Sequence, residues 1–254
     1  MSLFALLSCN GRGRKQSSAP SSESSLPVVS GTIVSGQAND EVMKEIDLKA
    51  FKSLTINLPV DVVYTPGDAK VLIVAKSKHI DHILVRQGED GAVVIESDDK
   101  KIRFWSETKI YVGSKYLSEL KLNGSQEFDC RGTIVSRDGF SLNLNGASDV
   151  EIFGIDADWT EIMCNGAADF ELHNLKSDEV SVKVNGAGDI ELHGIRAKTL
   201  DAKINGAGDI DLEGEADTVT LSINGAGSID ASHLRAKIVR PNVKGIGSIR
   251  TYDF

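Results

Sequence analysis

The sequence predicts an all-β fold: a parallel β-helix, or single-stranded solenoid, with about 20 residues per coil and a less regular β segment capping its N-terminal end. Three observations support this prediction. An Asn-Gly pair recurs at nearly constant spacing through the second half of the 254 residues. Apolar and polar residues alternate between these pairs, which is the period of a strand. The repeat is also too short for a propeller blade, which needs about 40 residues.

The Asn-Gly pair sets the register of the coils. Successive pairs are 19 to 22 residues apart, and coils that stack at the usual strand spacing of about 4.8 Å would bring the asparagines into one column. Because stacked amides hydrogen-bond to one another, we interpret this column as a structural ladder and not as a binding site. Its members are Asn123, Asn145, Asn165, Asn185, Asn205 and Asn224.

Each repeat is predicted to contain two short strands. In the unit that begins at Asn185, Ile190 points inward while Asp189 and Glu191 point outward. Cys130 and Cys164 fall at inward positions of the same pattern. We therefore interpret both cysteines as small buried residues, and not as nucleophiles, metal ligands or disulfide partners.

The start of the chain predicts a lipid anchor. Residues 1–9 are mostly apolar and end at Cys9, as in the lipobox of a bacterial lipoprotein. They are shorter than a complete signal peptide and carry no basic residue, so we interpret them as a truncated lipoprotein signal. Ser-rich residues 10–30 predict a flexible tether. We expect a lipid on Cys9 to hold the protein at the membrane.

The rest of the chain is predicted to be one continuous domain. Residues 31–122 form its N-terminal β part, and residues 123–254 form the β-helix repeats. The N-terminal part lacks the Asn-Gly marker but keeps the alternation of strands. We expect it to cap one end of the coil stack, because an open end is an unpaired strand edge.

Outward acids are also predicted to line up from coil to coil. Asp169, Asp189 and Asp209 occupy equivalent positions, and like charges about 5 Å apart repel one another. Calcium bound by these carboxylates would remove the repulsion. The alternative is a solvated acidic face whose aspartates cap the glycine turns. His173 and His193 are likewise either a metal-sharing pair or a surface pair.

Composition and motifs narrow the classes of function. The net charge is −9 and is spread along the chain without a basic stripe, so we expect no nucleic-acid partner. No Gly-x-Ser-x-Gly, phosphate-binding loop, Cys-x-x-Cys or His-Glu-x-x-His motif occurs. We therefore predict that the protein is not an enzyme and needs no cofactor, calcium excepted.

Several segments resemble a known bacterial family. They are Phe51-x-x-Leu54-x-Ile56, Val60-Asp61-Val62-x-Tyr64-x-x-Gly67, Leu117-x-x-Leu120-x-Leu122-Asn123-Gly124 and the Asn-Gly-Ala-Gly-Asp units at 185 and 205. Over about residues 46–251 the chain is similar to the family described as "putative auto-transporter adhesin, head GIN domain", which is common in lipoproteins of Bacteroidetes. The resemblance implies a right-handed parallel β-helix in the cell envelope and carries over no catalytic residue.

These observations predict a non-catalytic, lipid-anchored protein of the cell envelope, at the outer membrane, that acts as an adhesin or as a scaffolding and binding module. Its expected partners are the membrane, through the anchor, and a protein or glycan. The alternative is a β-helix that binds or processes polysaccharide through its acidic face. A self-assembling homo-oligomer also stays open.

Overall fold

The structure is a computed structural model that describes residues 26–36, 40–99 and 107–252. Within these residues the chain forms a β-solenoid of about seven turns with about 20 residues in each, which confirms the predicted all-β fold. The one described helix, α1, has four residues (Ser77–Ile80). No helix in this part of the chain is long and apolar enough to cross a membrane. Cys9 and most of the predicted tether lie outside the described residues.

Within the described residues, eighteen strands belong to one continuous sheet. Those before the repeats are β1 (Thr32–Gly36), β2 (Glu41–Asp47), β3 (Ser53–Ile56), β4 (Asp61–Pro66), β5 (Lys70–Lys76), β6 (Ile83–Gln87), β7 (Ala92–Ser97), β8 (Lys109–Ser114) and β9 (Glu119–Leu122). Those of the repeats are β10 (Ser125–Ser136), β11 (Phe140–Leu144), β12 (Ala147–Cys164), β13 (Ala167–Leu172), β14 (Leu175–Val184), β15 (Ala187–Ile204), β16 (Ala207–Ile223), β17 (Ala226–Val243) and β18 (Ile246–Thr251).

The repeats stack as parallel strands in register. Phe170 of β13 pairs with Val150 of β12 on one side and with Ile190 of β15 on the other. The column continues through Ile210 and Ile229, and all of these side chains are buried. Equivalent residues of successive repeats therefore lie directly above one another, as the constant spacing predicts.

Several strands are longer than the sequence predicts. The strands β12, β15 and β17 each have 18 residues and run through the corner that we expected to separate two short strands. In β15 the corner is a shift of register between Leu192 and Ile195. Gly194 lies there with a φ of 61°, a left-handed conformation that glycine adopts without strain. Pairing with the next coil resumes beyond the corner, so a single strand continues around it.

The N-terminal part does not add its coils in chain order. Strand β3 lies between β7 and β9, and β4 lies between β8 and β10. The coil that contains β3 and β4 therefore precedes its two neighbours in the chain but lies between them in the stack. The segment from β5 to β8 folds on the side of this coil that faces away from the repeats. The chain then returns, and β9 stacks on the side that faces the repeats. Antiparallel pairs of β1 with β2, β2 with β5, β5 with β8 and β6 with β7 complete the outer end. This arrangement caps the solenoid and covers strand edges that would otherwise be free to pair.

A single apolar core runs the length of the solenoid, from Ile46 to Ala236. Cys130 and Cys164 are buried in it as unpaired thiols. Burial raises the pKa of the Cys130 thiol to about 11, so this thiol stays protonated at neutral pH and is a poor nucleophile. Burial also raises the pKa of Cys164. Both cysteines thus occupy the core positions that the repeat pattern predicts.

We expect the substitution Phe170→Ala to destabilise the protein by about 3 to 5 kcal/mol, because it opens a cavity in the core. Phe170 is 2% exposed, whereas Phe153, on the preceding coil, is 52% exposed and serves as a matched control. The substitution Phe153→Ala should change stability by less than about 0.5 kcal/mol. Urea unfolding followed by circular dichroism measures both, and equal losses would contradict the assignment of the core.

Candidate functional site

The asparagines of the repeats form a continuous hydrogen-bonded ladder. Each side-chain Nδ2 donates to the Oδ1 of the asparagine one coil earlier, at donor–acceptor distances of 2.8 to 3.2 Å from Asn145 to Asn224. Asn123 extends the ladder into the cap by donating to Asn57 Oδ1 at 2.7 Å. The sequence pattern misses Asn57 because leucine follows it instead of glycine. The amides bond to each other, so the ladder is structural.

The glycine that follows each asparagine is required by the stacking. A Cβ on Gly186 would collide with the carbonyl oxygen of Gly166 in the coil below. That oxygen accepts a hydrogen bond from the backbone N–H of Ala187 at 2.9 Å. Glycine therefore lets the backbones of adjacent coils approach closely at this turn.

We expect the substitution Asn185→Ala to cost about 1 to 2 kcal/mol, because it removes the hydrogen bonds that Asn185 makes to Asn165 and Asn205. The control is Asn143→Ala, since Asn143 Nδ2 donates to Ser141 Oγ within its own strand. Thermal unfolding should show a clearly smaller loss for the control. Equal losses would mean that bonds between coils are worth no more than a local one.

Two of the three predicted calcium ligands accept hydrogen bonds from the adjacent coil. Asp209 Oδ1 accepts hydrogen bonds from the backbone N–H of Ser228 at 2.8 Å and from Ser228 Oγ at 2.7 Å. Asp189 Oδ1 accepts from the backbone N–H of Asp209 at 3.3 Å. These contacts favour the alternative of aspartates that cap the glycine turns. Calcium bound by Asp169, Asp189 and Asp209 stays a prediction.

Two histidines lie among glutamates at the corner of adjacent coils. The rings of His173 and His193 are stacked, with centroids 6.4 Å apart. His193 Nδ1 lies 3.1 Å from Glu213 Oε2, and its Nε2 lies 3.5 Å from Glu191 Oε2 and 4.0 Å from Glu171 Oε1. We call Glu171, Glu191 and His193 the histidine–glutamate cluster. One ligand atom from each of the three lies within 4.8 Å of the others.

The same region shifts the pKa values of its ionisable groups. Partial burial acts to lower the pKa of His193, but the hydrogen bonds to Glu213 and Glu191 outweigh it and raise the pKa above its usual value. The pKa of Asp211 is raised by burial and by the nearby charge of Asp230. The pKa of Asp230 is lowered by hydrogen bonds from Ser232. The corner is thus a concentrated patch of interacting carboxylates and imidazoles.

A second surface feature is a groove of about 940 Å³ that crosses several coils. Its floor is a column of small residues, which leaves room between two charged rims. The floor residues are Ala157, Ser177, Ala197, Ala216 and Ala236. We call it the charged groove because basic and acidic side chains line both rims. Its basic residues are Arg137, Lys176, Arg196, Lys198, Arg235 and Lys237.

Most charges of the charged groove are paired between coils. Lys176 Nζ lies 3.1 Å from Asp156 Oδ2, and Lys198 Nζ lies 2.7 Å from Asp178 Oδ2. Arg196 differs, because within the described residues its exposed guanidinium makes no ion pair or hydrogen bond. An anionic group that enters the groove would therefore meet, near its centre, a guanidinium that forms no short ion pair, although Glu215 is its register partner in the next coil and Asp158 also lines the groove. The sequence pattern misses this groove, since small residues on its floor look like ordinary surface positions.

The fold and these surfaces define a class of protein: a β-solenoid that offers stacked side chains on a rigid coil. The chain belongs to the family described as "putative auto-transporter adhesin, head GIN domain", whose model matches residues 50–172 and 158–253. The resemblance seen in the sequence is thus confirmed. The family is of the adhesin type, a class of surface or envelope proteins.

Solved structures share the fold. A putative adhesin from Bacteroides fragilis is similar with a TM-score of 0.76 at 20% identity, covering 84% of this chain and 98% of its own. A putative adhesin from Parabacteroides merdae has a TM-score of 0.63 at 16% identity, covering 86% and 99%. A putative lipid binding protein from Parabacteroides distasonis has a TM-score of 0.61 at 18% identity, covering 85% and 98%. A comparison with curated protein sequences gives no match.

Proposed function

We propose that this protein is a non-catalytic binding module of the cell envelope, held at the outer membrane by a lipid on Cys9, that uses the charged groove to bind an acidic polysaccharide. The observation that carries the proposal is the unpaired guanidinium of Arg196 in a groove whose other charges are largely paired. The adhesin-type family supports a binding role rather than a catalytic one. The lipobox-like start of the chain supports the anchor.

The shape and chemistry of the groove favour an extended polar ligand. Its volume of about 940 Å³ is open across several coils, and charged side chains rise on both sides of a floor of small side chains. A guanidinium binds a carboxylate through two parallel hydrogen bonds, which a lysine cannot reproduce. A polysaccharide that carries a carboxylate on its sugars supplies both the extended shape and the anion.

We expect the full chain to bind polygalacturonate oligosaccharides and to lose this binding at least about tenfold on the substitution Arg196→Glu, because the variant repels the carboxylate. Arg196→Lys should retain part of the affinity. Isothermal titration calorimetry measures the affinity, and added salt should weaken it.

The matched control is Arg131→Glu. Arg131 is exposed and pairs with Asp129 on β10, outside the charged groove. This variant should bind as the wild type does. Failure of the wild-type protein to bind the oligosaccharides, or an equal loss of affinity in the control, would contradict the proposal. Tighter binding of poly-glutamate than of polygalacturonate would also contradict it and would indicate an acidic protein as the partner.

A second candidate function, self-association, is favoured by the C-terminal end of the solenoid. Within the described residues, no strand pairs with the outer edge of β18 or of the second half of β17. Ile246 is 85% exposed at this end, and Val243, which continues an otherwise buried column, is exposed as well. A second copy of the chain offers the same open edge, whereas the opposite end is capped. The expected product is a tail-to-tail dimer and not a fibre.

We expect light scattering of the full chain with the substitution Cys9→Ala, which removes the proposed lipid, to reveal a dimer whose population rises with concentration. The substitution Ile246→Lys should shift it to monomer, because a charge at the open edge opposes pairing. Ile33→Lys, at a residue 52% exposed in the N-terminal part, is the control and should leave the dimer intact. A monomer of the Cys9→Ala chain at every concentration would contradict self-association.

A further inference from the structure

We propose that the histidine–glutamate cluster is a binding site for a divalent transition metal ion of the zinc type, with Glu171, Glu191 and His193 as its protein ligands. The three ligand atoms lie within 4.8 Å of one another on two adjacent coils. Around a tetrahedral zinc ion with bonds of about 2.0 to 2.2 Å, neighbouring ligand atoms lie roughly 3.4 Å apart. His193 Nε2 lies 3.5 Å from Glu191 Oε2 and 4.0 Å from Glu171 Oε1. A rotation of the Glu171 side chain away from His173 Nδ1, which lies 3.4 Å from its Oε1, would bring this third ligand closer.

The orientation of His193 suits a metal ligand. Its Nδ1 faces Glu213 Oε2 at 3.1 Å, and its Nε2 faces the two carboxylates of the cluster. A carboxylate that accepts the Nδ1–H bond fixes the tautomer whose Nε2 lone pair binds a metal, and such partners are typical of histidine ligands in metal sites. Glu213 is therefore a positioning residue from the next coil.

The strands hold the ligands in place. Glu191 and His193 flank the buried Leu192 on one strand, so both side chains point outward from the same anchored segment. Glu171 is the register partner of Glu191 in the adjacent coil. Each ligand thus stands beside a core residue on a rigid element, which limits the ordering that metal binding must impose.

The charge and donor types of the site select the class of ion. Glu171, Glu191 and Glu213 all approach His193, and their mutual repulsion falls when a divalent cation binds among them. One imidazole and two carboxylates suit zinc and related transition metals, whereas calcium prefers a shell of six to eight oxygens. Three protein ligands on an exposed surface leave a fourth position for water or for a group of a partner.

Calorimetric titration of the metal-free full chain with zinc chloride tests the site, and cobalt(II) provides a visible spectrum that reports tetrahedral binding. We expect one ion per chain. His193→Ala and Glu191→Gln should each weaken binding by more than about tenfold and abolish the tetrahedral cobalt bands, while Glu213→Gln should weaken zinc binding about tenfold and keep the stoichiometry. Circular dichroism should show that these variants remain folded, because their side chains lie at the surface.

Two control variants test whether zinc binds specifically at this cluster. His82, which lies 2.9 Å from Asp98 in the cap, is a comparable exposed histidine–carboxylate pair, and His82→Ala should bind zinc as the wild type does. Asp189→Asn with Asp209→Asn should also leave zinc binding unchanged, since those side chains cap the coils. Absence of zinc binding, an unchanged affinity in His193→Ala or an equal loss in His82→Ala would overturn the proposal.

Discussion

The rest of the structure depends on one constraint: successive coils hydrogen-bond in parallel and in register. Any side chain therefore lies next to its counterpart in the adjacent coils, at the strand spacing of about 4.8 Å. Apolar residues profit directly, as in the column that contains Phe170 and Ile190. Stacked asparagines are stabilised as well. An amide both donates and accepts hydrogen bonds, so each asparagine can bond to the asparagines of the coils on either side. Glycine occupies the position after each asparagine because the adjacent coil leaves no room there for a side chain.

Identical charged side chains repel one another when they stack. The structure reduces this repulsion in a different way at each surface. In the charged groove the sign changes between many adjacent coils, so that Lys198 lies beside Asp178 and Lys237 beside Asp217. At the turns Asp209 is neutralised by backbone and hydroxyl donors of the next coil. At the corner, glutamates persist from coil to coil and histidines lie among them. A bound cation would lower the repulsion in that column further, which connects the proposed metal site to the stacking itself.

The sequence predicts the parts of the structure that repeat and misses the parts that interrupt the repeat. Constant spacing is enough to place Asn185, Ile190 and the buried cysteines, since stacking in register follows from the period. The constant spacing does not predict the order of the first coils, because β3 pairs with β7 and β9, which are distant from it in the sequence. Asn57 is missed because leucine follows it instead of glycine, so the Asn-Gly marker is lost in the cap. The charged groove is missed because the small residues on its floor look like ordinary surface positions in the sequence.

The asymmetry of the two ends gives the solenoid a direction. The first described residues lie at the capped end, where Val28 forms a β-bridge with Arg86. A tether that leads back to a lipid on Cys9 would therefore attach the capped end to the membrane side. The open edge of β18 then lies at the opposite end of the rod, with the charged groove and the histidine–glutamate cluster on its sides. In this arrangement the cap prevents stacking toward the membrane, and the surfaces proposed for binding and self-association remain accessible away from it.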